Sequence, residues 1–174
     1  MPKSVLLVIL LAAIFTGGVL AFRQYGQPSG GSDNLAIHKL PAGDVAFNPI
    51  PTRTGGAIGY PRPTNIVTND QASWSGVWTQ AFCHTRDPCP TLPEVNFTQW
   101  TVLVVFMGEK GTSGYSTKVA RVSSTGDNVI VDVLDTVPTR GCIEAQSLTY
   151  PYDIVEIPKS GQPVSFITQS IAKC

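Results

Sequence analysis

Four cysteines and two histidines are the side chains of this sequence best equipped for chemistry: Cys83, Cys89, Cys142 and Cys174, with His38 and His84. An even set of thiols in a chain that reads as exported points to disulfides. Cys83 and Cys89 flank the short loop His84-Thr85-Arg86-Asp87-Pro88, which one bridge would close across a turn at Asp87-Pro88. Sequence alone permits three pairings; this spacing favours Cys83 with Cys89, leaving Cys142 with Cys174 to tie the chain end to the domain. A metal cage of Cys83, His84, Cys89 and Cys142 is the sharper alternative. The Cys83-His84 dipeptide splays its side chains when extended, and no second C-x-x-C or His pair follows, so neither a metal nor another cofactor is expected. Thiol catalysis would need His84 beside a reduced Cys142, which an oxidising compartment opposes.

The remaining ionisable groups announce no reaction. Asp127, Asp132, Asp135, Glu144, Asp153 and Glu156 are scattered over expected strands and turns without the pairing that acid–base catalysis requires, and read as charge on a solvent face. G-x-S-x-G is absent, and Gly-Glu-Lys-Gly-Thr-Ser-Gly lacks phosphate-loop spacing. Twelve basic residues balance twelve acidic ones, which leaves no electrostatic footprint for nucleic acid. Asn96-Phe97-Thr98 satisfies a glycosylation sequon. An enzyme is not expected.

What the sequence does offer is a shaped loop. Val102 to Phe106 is β-branched or apolar throughout, as suits a strand covered on both faces. Gly108, Gly111 and Gly114 then punctuate seven residues, so that backbone can take positive φ. Loops on rigid stems carry binding disproportionately. The candidate binding residues are Gly108, Gly111, Thr112, Ser113, Gly114 and Tyr115, joined by Thr149, Pro151 and Tyr152 of a neighbouring turn. A plain hairpin in which Tyr115 and Tyr152 merely pack is the competing view, with Pro151 and Pro158 bracketing a strand at a sheet edge.

These residues need elements to hold them. Val5 to Phe22 carries no charge and is about long enough to cross a bilayer. Residues 1–22 are therefore expected to be a signal peptide cut after Ala21 or an uncleaved membrane anchor, and either places the rest outside the cytoplasm, secreted or membrane-anchored. Residues 23–62, rich in Gly, Pro, Ser and Asn, read as a tether, although Val45 to Phe47 could dock as an edge strand. Residues 63–174 are expected to form the domain. Thr68 with Gln71 gives a capping-box pattern, and Trp74, Val77, Trp78 and Phe82 recur at helical spacing, which predicts one amphipathic helix over about 69–82. Strands are expected over 115–123, 129–134, 153–157 and 164–167. One helix followed by consecutive strands predicts an α+β domain with a mostly antiparallel sheet.

Three separated motifs carry a resemblance. Asp70-Gln-Ala-Ser-Trp-Ser-Gly-Val-Trp78, then Val104-Val-Phe-Met-Gly-Glu-Lys-Gly-Thr-Ser-Gly-Tyr-Ser116, then Cys142-x5-Leu148-Thr149-x-Pro151-Tyr152-x-Ile154-Val155-x-Ile157-Pro158-Lys159 resemble, in that order, the C-terminal domain of the protease-complex subunit PrcB. The likeness spans roughly residues 64–168. The sequence departs from that family's pattern at Gly111, where Pro is preferred, at Ser113, where Gly is, and at Asp153, where His is common. The resemblance implies a non-catalytic accessory module that binds and stabilises an extracytoplasmic protease assembly. The partner expected is another protein, of a protease or envelope complex, and a structural envelope protein is an alternative. Thr112-Ser113-Gly114-Tyr115 is also similar to the wedge loop of chagasin-type protease inhibitors, over those four residues.

Overall fold

Strand β4 (Trp100–Phe106) organises the domain, and its burial explains its sequence. In this computed structural model, which describes residues 39–52, 55–84 and 88–174, every β4 residue from Thr101 to Phe106 is buried. Alternate side chains face opposite sides of a strand. Val102, Val104 and Phe106 meet the helix, whereas Leu103 and Val105 meet a second sheet. A run without polar alternation is what two covered faces require. The expected 1–22 segment and its cleavage point lie outside the described residues, as does the first part of the 23–62 tether. Among the described residues no helix is long and apolar enough to cross a membrane.

Numbered along the chain, the elements are β1 (Gly43–Asp44), β2 (Asn48–Pro49), β3 (Thr64–Thr68), α1 (Gln71–Phe82), β4, β5 (Ser116–Ser124), β6 (Val129–Val137), β7 (Tyr152–Pro158) and β8 (Val164–Ala172). They form two four-stranded sheets, β2-β7-β4-β3 and β1-β5-β6-β8. The α+β class stands, with one helix and mostly antiparallel strands. The single sheet that the strand run suggested is divided in two, because Leu103, Val105, Val155 and Ile157 must be covered by Val119, Val122, Val129, Val131 and Val133. The pairing of β6 with β8 is parallel. Parallel neighbours need a long crossover, and the chain makes it by leaving β6, forming β7 in the other sheet and returning as β8. Strand β7 therefore lies between β2 and β4 rather than at an edge, and Pro151 falls just outside it. A bulge between Val119 and Arg121 lets Val119 and Val122, three apart, both face inward.

Helix α1 covers the outer face of β4 and β7. Its cap is Asp70, whose carboxylate accepts hydrogen bonds from the Ser73 N–H and hydroxyl at 2.8 Å each. The Thr68 capping box does not form, because Thr68 is buried in β3 opposite Val102. Trp74 and Trp78 are buried, and their indole N–H groups donate to the carbonyls of Pro93 and Pro90 at 3.0 and 2.9 Å. Satisfied in this way, both can bury large aromatic area. The ring series continues through Phe82 to Tyr152, with centroids 4.9 Å apart.

Part of the expected tether is integral. Val45 and Phe47 pack on the core between the sheets, β1 pairs with β5 and β2 with β7. The stretch steps from one sheet to the other, so the domain takes in residues well before 63. Pro49 is tolerated there because β2 is an edge strand. Cys83 is bonded to Cys89 and Cys142 to Cys174, with Cα atoms 4.7 and 5.5 Å apart.

Candidate functional site

The β4–β5 connection, residues 107–115, crosses between the sheets and is held by two other stretches of chain. Its first contact is the Met107 N–H, which donates to Pro151 O at 2.9 Å. Gly108 follows with φ of 78°, pressed so closely to residues 61–63 that a Cβ would lie 2.9 Å from the Arg62 carbonyl carbon. Only glycine accommodates both constraints. Glu109 N–H then donates to Pro61 O at 3.0 Å, and Lys110 exchanges two backbone hydrogen bonds of 2.9 Å with Thr149.

Beyond Lys110 the loop is clasped by side chains. The Thr149 hydroxyl donates to Thr112 O at 2.9 Å. Ser113 N–H donates to Ala145 O, and the Ser113 hydroxyl donates to Glu144 Oε2 at 2.6 Å while accepting from Ala145 N–H at 2.9 Å. Gly114, at φ 86°, leaves room for that carboxylate: a Cβ there would lie 2.4 Å from it. Gly111 has no positive φ and faces open space. Lys110 Nζ sits 5.7 Å from the centre of the Tyr115 ring, within cation–π range. Tyr150 donates its hydroxyl to Glu109 Oε2 at 2.5 Å. That hydrogen bond to a carboxylate is the main cause holding the Tyr150 phenol above its ordinary pKa.

Below the clasp lies a cleft of about 450 Å³, walled by Tyr115 and Thr117 on one side, Leu148 to Tyr152 on another, and Gly55, Gly56 and Ile58 on the third. Leu148 and Ile58 remain 61% and 39% exposed at its rim. Gly56 allows the third wall to close, since a Cβ there would come within 3.0 Å of Tyr150 Cβ; Ala57 N–H donates to Tyr150 O at 3.2 Å. Tyr152 lies 2.8 Å from the Thr52 hydroxyl.

Of the candidate binding residues, Tyr115, Thr149, Pro151 and Tyr152 line this cleft. Thr112, Ser113 and Gly114 form the clasp beside it, Gly108 is buried beneath residues 61–63, and Gly111 stands exposed at the tip. The third wall and Glu144 were missed. Gly55-Gly56 carried a signal for close backbone approach, but within a Gly/Pro-rich stretch it read as a tether. Cys142, bonded to Cys174, has no thiol to activate, and His84 is exposed beside the other bridge. Among the described residues no three His, Cys, Asp or Glu side chains gather as metal ligands would. The Asn96 side chain faces its own sequon, accepting from Thr98 N–H and hydroxyl at 3.1 and 2.6 Å.

The family described as PrcB C-terminal matches residues 101–158, from β4 through the clasped loop to the end of β7. No curated protein and no solved structure matches the chain.

Proposed function

We propose, taking residues 101–158 as a member of the PrcB C-terminal family, that this domain is a non-catalytic accessory module that binds a protease complex outside the cytoplasm. The observation that carries the reading is the cleft itself. Its walls are fixed by the Lys110–Thr149 ladder and the Glu144–Ser113 clasp, yet its rim leaves Leu148 and Ile58 exposed. Rigid walls with uncovered apolar rims suit an apolar side chain of a protein partner, because little ordering entropy is lost on docking. Two disulfides are the usual mark of an oxidising compartment and support an exported domain. The expected anchor or signal at 1–22 would deliver it there.

The inhibitor reading, in which Thr112 to Tyr115 wedges into a protease, finds less support. A wedge must stand free, whereas here Ser113 and Thr112 are tied to residues 144–149.

The test is capture from the native membrane fraction by the full chain, comparing wild type with Leu148→Glu and Ile58→Glu. Both positions are exposed, so folding should persist, as near-ultraviolet circular dichroism would check. The expected outcome is recovery of a protease or a protease-complex subunit by the wild type, lost in the variants. Equal recovery by correctly folded variants would contradict the cleft as the site.

A further inference from the structure

The two sheets present four edge strands, and three of them are blunt. β1 and β2 have two residues each, with Pro49 ending β2, and β3 has five residues after Pro63. β8 differs. It runs nine residues, Val-Ser-Phe-Ile-Thr-Gln-Ser-Ile-Ala, with no charge or proline, and its register with β6 is continuous, without a bulge. Long uncharged edges are what soluble proteins ordinarily avoid, because their outward N–H and C=O groups recruit another strand.

Which groups face outward follows from the ladder. Val129 N–H donates to Pro163 O, and Lys173 N–H donates to Val137 O. Odd-numbered residues therefore turn their backbone groups toward β6, and Val164, Phe166, Thr168, Ser170 and Ala172 turn theirs to the open side. Among the described residues nothing pairs with that side. On the outer face of the same strand, Ile167 and Ile171 are 47% and 43% exposed.

We propose that β8 pairs antiparallel with β8 of a second copy of this chain, about a two-fold axis through Gln169, joining the two β1-β5-β6-β8 sheets edge to edge. The two residues on either side of Gln169 match in kind, Thr168 with Ser170 and Ile167 with Ile171, and the next pair sets a large apolar Phe166 against a small apolar Ala172. A two-fold contact needs such self-complementarity. The parity agrees as well. With the axis at an odd residue, Thr168 meets Ser170 and Phe166 meets Ala172 as hydrogen-bonded pairs, using the open backbone groups. Ile167 meets Ile171 as a non-hydrogen-bonded pair, where side chains approach most closely. Lys173, the nearest charge, falls opposite Ser165, so the axis brings no like charges together. A foreign strand selected by charge would find none within β8.

The experiment uses the full chain in mild detergent, its mass followed by sedimentation velocity as a function of concentration. Wild type is expected to form a dimer. Gln169→Lys and Gln169→Glu, each placing like charges across the axis, should each weaken association about tenfold. Mixing the two variants should restore a dimer at least as strong as wild type. Gln169 is exposed, so neither change disturbs the core. A wild type that stays monomeric at the highest soluble concentration, or a dimer that both variants leave unchanged, would overturn the proposal.

Discussion

Two glycine-bearing reversals join strands of this domain, and they are built on opposite plans. The backbone reversal between β5 and β6 is closed by near neighbours, while its flanking side chains reach further, Asp127 to Lys39 and Ser124 to Leu40 and Gln162. Thr125 N–H donates to Asn128 O, Asn128 N–H to the Thr125 hydroxyl and Gly126 N–H to the Ser124 hydroxyl, and a Cβ on Gly126 would meet nothing within 4 Å. The β4–β5 loop is the reverse: its partners are residues 61, 144–145, 149 and 151, far along the chain. A turn whose backbone is closed by its own neighbours only reverses direction. A loop shaped by distant segments is held in a fixed form, as a binding wall must be.

Glycine substitutions sharpen that contrast. Gly108→Ala combines positive φ with a clash against residues 61–63 and is expected to cost about 2–4 kcal/mol in urea unfolding. Gly114→Ala should cost about 1–3 kcal/mol, since it also displaces Glu144 from Ser113. Gly126→Ala meets only the backbone preference, at about 1 kcal/mol. The contrast breaks if Gly126→Ala proves as damaging as Gly108→Ala.

The smallest effect expected is a pH dependence. Tyr150 is held above its ordinary pKa by Glu109. A raised folded pKa means that the stabilisation is fully present below the unfolded value of 10.0 and is lost as pH rises through the folded one. The melting-temperature gap between wild type and Tyr150→Phe should therefore hold up to about pH 9 and narrow above pH 10. A gap constant through that range would show that the hydrogen bond adds nothing.

How much of this was legible depends on whether a residue's surroundings leave a local mark. β4 was readable because covering both faces removes every polar alternation, and α1 because Trp74, Trp78 and Phe82 share one face. Val129, Val131 and Val133 announced one buried face but not that a second sheet would cover it. β3 was unreadable, being five residues that begin and end in threonine. The cap was misplaced because the sequence does not say that Thr68 is held in β3, which leaves Asp70 free to cap.

The site divides on the same principle. Positive φ at Gly108 and Gly114 was written in the glycines themselves. The role of Glu144 was not, because one carboxylate among several carries no sign that Gly114 has made space for it. The wall at Gly55, Gly56 and Ile58 came from a stretch whose composition describes a tether and whose position is set only by Tyr150.

Site-specific photo-crosslinking tests the central claim most directly. A photoreactive residue is placed at Leu148 on the cleft rim or, as the comparison, at exposed Asn128 in the β5–β6 turn, within the full chain in its native membrane fraction. The account predicts a covalent adduct with a protease-complex protein from position 148 and none from position 128. Equal labelling from both positions, or none from 148 while the assembly is intact, would contradict it.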